Sequence, residues 1–73
     1  MKASDILKKP YKRVIIPDTD TGTYTSLIDE FPGCISQGES PEQAYARLEE
    51  VARVWVEISI QMGQAIPEPT EGR

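Results

Sequence analysis

Ser40-Pro41-Glu42-Gln43 constrains this chain more than any other stretch, because it fixes where a long helix must begin. A serine hydroxyl accepts from the free amides of a first turn, proline suits the first helical position, and an acid there complements the helix dipole. Glutamine three places on completes a capping box, in which the two side chains satisfy each other's backbone amides. The helix predicted from this start runs from 41 to about 62. Gly63 is the natural residue just past its end. On a helical wheel Ala44, Leu48, Val51, Trp55, Ile58 and Met62 fall within about 40° of one line and form the predicted core stripe. Tyr45, Ala52 and Val56 widen it on one side and Val54 on the other, while Ile60 sits near a charged back of Arg53 and Glu57. Such a helix is about 33 Å long, whereas strands of six or seven residues reach only about 20–23 Å. Its last two turns therefore overhang any sheet the chain can build. Val54, Trp55, Ile58 and Met62 are expected to meet another subunit.

The sheet is read upstream of the helix. YKRVIIP (11–17) is rich in β-formers and closes at Pro17. DTDTGT is a turn cluster, and YTSLIDEF a second strand, giving a hairpin with a loop of about five or six residues. Pro32-Gly33 turns the chain again. Cys34-Ile35-Ser36 is a short third strand released by Gly38. Residues 4–9 make one helical turn, begun by Ser4 and Asp5 and stopped before Pro10. The expected fold is α+β: a three-stranded antiparallel sheet, one long helix packed on it and a short N-terminal helical turn. A single domain spans 1–73, with its core at 10–63 and an extended, proline-rich tail at 64–73. Gly33, Gly38 and Ser40 are assigned structural roles.

Size and residue types limit the chemistry. The chain has 73 residues, one cysteine and no histidine. A chain this short buries only about 60% of its unfolded surface, so a partner or a second copy is the expected extra stabiliser. An internal disulfide, a zinc finger and a Cys–His pair are all excluded within one chain. Without a base nearby, Cys34 reads as a small core residue. Asp18, Asp20, Asp29 and Glu30 carry a faint likeness to a calcium loop, but the frame lacks its closing bidentate acid and turn chemistry accounts for them better. Tyr11, Tyr24, Tyr45 and Trp55 read as packing residues rather than a stacking platform. No catalytic, metal or cofactor residue is expected.

No apolar run nears the roughly 20 residues a bilayer needs, and the N-terminus lacks a signal peptide's apolar core. A cytoplasmic protein is expected. Residues 1–13 hold five of the eight basic side chains and one acid. The remaining sixty hold three bases and eleven acids. That acidic body disfavours nucleic acid and suits a basic protein partner. Glu49, Glu50 and Glu57, on the predicted outer face of the helix, are the candidate contacts.

The order of these pieces resembles the HicB-like antitoxin family. The residues that carry the likeness are Ile15-Ile16-Pro17-Asp18, Gly22-Thr23-Tyr24, Phe31-Pro32-Gly33-Cys34, Gln37-Gly38-Glu39-Ser40, Trp55 and Ile66-Pro67-Glu68-Pro69, spread over 10–69. Gln43-Ala44 stands where the family usually has Glu-Ala and keeps the capping role. The resemblance implies a partial RNase H-like fold; because that chemistry needs several acids converging on metals and no such set can be placed at one point here, no nuclease activity is expected. It also implies neutralisation of a small basic, mRNA-cleaving toxin of the HicA type. Binding to nucleic acid by this chain alone is not expected. A homo-oligomer, dimer or tetramer, is expected. The competing readings are an orphan oligomeric scaffold and a small-ligand binder of RNase H-like descent without catalysis.

Overall fold

A computed structural model describes residues 2–69 of the chain. In chain order it contains α1 (Ala3–Leu7), β1 (Arg13–Asp18), β2 (Thr23–Ile28), β3 (Ile35–Gly38) and α2 (Pro41–Gln61). The strands form one antiparallel sheet in the order β1-β2-β3. Its rows are set by register: Val14 lies opposite Leu27 and Leu27 opposite Ile35, while Ile15, Ser26 and Ser36 share the next row.

β1 does not stop at Pro17 but continues to Asp18, with Pro17 opposite Tyr24. A proline is tolerated there because β1 is an edge strand and its missing amide would face outward. The hairpin loop is therefore only residues 19–22. Asp18 holds it, accepting from the Asp20 amide through its side chain and from the Gly22 amide through its carbonyl. Gly22 closes the loop at φ 72°, a region other residues rarely enter.

The third strand also begins later than expected, at Ile35. Cys34 still belongs to the connection, its amide donating to the Phe31 carbonyl while its carbonyl accepts from Ile28. Gly38 lies within β3 instead of releasing it. A Cβ built on Gly38 would sit 2.8 Å from the Ala44 Cα and 2.8 Å from the Gln43 carbonyl carbon. The start of α2 can press on the end of β3 only because that position is glycine.

α2 starts as its sequence dictates, with the Gln43 amide donating to the Ser40 hydroxyl at 3.1 Å. The return bond reaches one residue further back: Gln43 Oε1 accepts from the Glu39 amide at 2.7 Å. Gly63 follows the helix at φ 69°.

The buried stripe of α2 is Ala44, Leu48, Ala52, Val56 and Ser59. This is rotated roughly 60° from the expected line, at 100° per residue. The cause is α1. Ala3 and Ile6 are buried, and the start of α1 lies beside Arg53, Glu57, Ile60 and Gln61. The flank read as a charged back is thus half of a helix–helix contact, and small residues at 52 and 59 face the space between sheet and α1. The overhang is filled largely by the chain's own ends. Ile66 packs on the core from the tail, the Tyr11 hydroxyl donates to the Pro67 carbonyl at 2.6 Å, and Lys9 pairs with Glu68. The packed body therefore extends beyond 10–63 at both ends, and the tail is fastened as far as Glu68; residues 70–73 lie outside the described residues.

Candidate protein-binding surfaces

Of the three acids assigned to the outer face of α2, the structure commits one internally. Glu49 takes a bidentate bond from Arg13, at 2.5 Å to Nε and 3.3 Å to Nη2. Arg13 spends its other donors on the Tyr11 and Leu7 carbonyls. The hydrogen bond to Glu49 raises the guanidinium pKa further above its already high value. Planar, two-pronged geometry makes this a lock between β1, the N-terminal segment and α2. Glu57 forms an exposed pair with Arg53 one turn away, of the kind that contributes little. Glu50 is exposed and has no ion-pair partner among the described residues.

Toward the C-terminal end from Glu50, one side of the helix is apolar. Val54 is 46% exposed, Ile58 48% and Met62 64%. Val51 and Trp55 are half-buried beside them, and Glu50, Val51, Arg53, Val54, Trp55 and Ile58 line one shallow depression, with the Arg53 charge taken up by Glu57. Trp55 is its fixed wall. Its indole N–H donates to the Pro32 carbonyl at 3.0 Å, and its ring stacks on Phe31 with centroids 4.3 Å apart and planes 7° from parallel. Phe31 in turn touches Tyr11 at 4.6 Å. The structure thus joins Glu50 to Val54, Trp55 and Ile58, sets Met62 a turn further on, and leaves Glu49 and Glu57 outside the patch.

A second surface was not anticipated. Paired residues on neighbouring strands share a face, and Ser26, buried with its hydroxyl on the Ala44 carbonyl, marks the face turned to α2. The opposite face carries Val14, Leu27 and Ile35 in one row and Ile16, Thr25 and Gln37 in another. Ile16 is 48% exposed and Ile35 55%. Its signal in the sequence is the alternation Lys12-Val14-Ile16-Asp18.

Charge is also placed by topology. The hairpin tip, the end of β3 and the start of α2 lie at one end of the molecule, gathering Asp18, Asp20, Glu39 and Glu42. Lys8, Lys9 and Lys12 lie toward the other. Pairing of Arg13 with Glu49 and of Lys9 with Glu68 shows that part of the basic N-terminus compensates the acidic body internally.

Among the described residues no three metal-binding side chains converge. Cys34 is fully buried, and burial pushes its thiol pKa up, helped by the charge of Glu49. The molecule is a small two-layer α+β body that presents surfaces. The chain belongs to the HicB-like antitoxins of bacterial toxin–antitoxin systems, whose family model matches residues 11–72. No curated protein and no solved structure gives a significant match. Membership makes the general role an antitoxin's and its partner a toxin. Among the described residues no helix is long and apolar enough to cross a membrane.

Proposed function

We propose that the chain neutralises a small basic, mRNA-cleaving toxin of the HicA type in the cytoplasm, by binding over the toxin's active surface without itself performing catalysis. Family membership supplies the kind of partner. The observation that carries the place is the α2 patch, where the unpaired Glu50 borders exposed Val54 and Ile58 beside an immobilised tryptophan. A rigid aromatic with apolar neighbours is the usual make-up of an energetic centre, and an acid at its rim selects a basic partner and speeds encounter. Glu57 lies outside the patch, where it balances Arg53, while Glu49 contributes by holding the scaffold.

The test is titration of the full chain against the basic toxin encoded beside it, reading both affinity and protection of RNA from cleavage. The double variant Val54→Glu/Ile58→Glu is expected to lose at least about 30-fold in affinity, the scale of a lost hot spot, with an unchanged melting curve. Glu50→Gln should weaken binding only a few-fold and flatten its salt dependence. Full protection by the double variant would overturn the assignment of the patch.

A further inference from the structure

The uncovered sheet face has properties that a toxin-facing patch on α2 does not use. On it the chain into and along β1 reads Lys12, Val14, Ile16, Asp18, with Lys12 just before the strand and its carbonyl accepting from the Asp29 amide: a cation at one end, an anion at the other, and only β-branched apolar residues between. Both sheet edges are blunted, β1 by Pro17 and β3 by its four-residue length, so another strand is poorly placed to extend the sheet. The face, unlike the edges, is left open by every described element.

We propose that this face binds a second copy of the chain, sheet against sheet with the strands antiparallel. The reasons are reversal and charge. A two-fold axis across the row of Ile15, Ser26 and Ser36 sets Val14 over the partner copy's residue 16, Leu27 over its residue 25 and Ile35 over its residue 37. It also sets Lys12 of one copy over residue 18 of the other, the aspartate, while Asp29 beside Lys12 meets threonine at position 23. The face is thus complementary to itself reversed. Lys12 offsets one of its two acids, Asp18 and Asp29, so the face carries less acidity than the body as a whole. Sheets packed this way sit about 10 Å apart at about −30°.

Three strands at about 4.8 Å spacing and about 20 Å length give a contact on the order of 300 Å² per copy, well below the roughly 800 Å² of a standard interface. The dimer is therefore weak, with dissociation in the micromolar range or above. It would leave both α2 patches facing outward, so one dimer carries two toxin sites. Only that last clause rests on the function proposed above.

Sedimentation equilibrium of the full chain from about 5 to 500 µM tests it. The wild type is expected to shift from monomer to dimer across this range, and Ile16→Glu or Ile35→Glu to stay monomeric with an unchanged melting curve, since both side chains are about half exposed. Lys12→Glu alone should weaken dimerisation about 5-fold, because it sets two acids against each other; Asp18 is left intact because its carboxylate holds the hairpin loop. A wild type that is monomeric at 500 µM overturns the proposal. So does a dimer that survives Ile16→Glu but is broken by Val54→Glu/Ile58→Glu, which would put the copies together through α2. Loss of toxin binding in Ile16→Glu by an otherwise monomeric protein would hand the sheet face to the toxin and overturn both assignments.

Discussion

Gly38 shows how much a single residue decides. Its lack of a side chain lets the last residue of β3 meet the backbone of Gln43 and Ala44, and backbone, unlike a long side chain, cannot swing aside. Gly38→Ala is expected to cost about 1–3 kcal/mol, as overpacking does, measured by urea unfolding; a variant as stable as wild type would mean that α2 can lift off β3 freely. Ser40 and Cys34 act at the same scale. The serine fixes the helix start through one hydrogen bond, and the cysteine fills space in the core beside Ile28 and Phe31. Within the stretch from Phe31 to Ser40, Phe31, Cys34 and Gly38 are buried, while Ile35 lies open on the sheet face.

Elements show where local sequence information ends. The start of α2 was legible because capping is local: Ser40, Pro41 and Gln43 act within four residues of one another. Its inward face was not, because that depends on a contact between residues about fifty apart. Seen alone, α2 points Val51, Trp55 and Ile58 at its core. Once α1 docks, Ala52, Val56 and Ser59 turn inward and Ile58 turns out. The lock between Arg13 and Glu49 was hidden for the same reason, since 36 positions separate them. Conversely, five residues of α1 could not be credited with packing, because so short a helix is marginal alone. Its worth is tested by Ile6→Ala. With Ile6 only 3% exposed, the substitution should cost about 2–5 kcal/mol, the range for emptying a core site. A loss near zero in thermal unfolding would show that α1 merely rests on α2.

At the scale of the whole molecule, two buried acids couple stability to pH. Tyr11 has its pKa raised by burial and then by the charges of Glu68 and Glu30, and Cys34 is raised by burial and by Glu49. Both are held protonated in the fold more firmly than in the unfolded chain. Above the unfolded values the unfolded state binds fewer protons, so stability is full below them and falls as pH rises. The decline should begin at about pH 9, the thiol first, and Cys34→Ala should flatten its early part. Equal slopes for the two proteins between about pH 9 and 10 would contradict the buried-thiol account.

The molecule is a slab with its helix on one side and its bare sheet on the other, and the central claim is that the two sides serve different partners: toxin on α2, a second copy on the sheet. Methyl spectra of the full chain read both at once. Addition of the toxin to dilute chain is predicted to move the Val51, Val54 and Ile58 methyls and leave Ile16 and Ile35 in place, whereas concentrating the chain alone moves Val14, Ile16, Leu27 and Ile35. Toxin-induced shifts confined to the sheet-face methyls, with α2 untouched, would contradict the account.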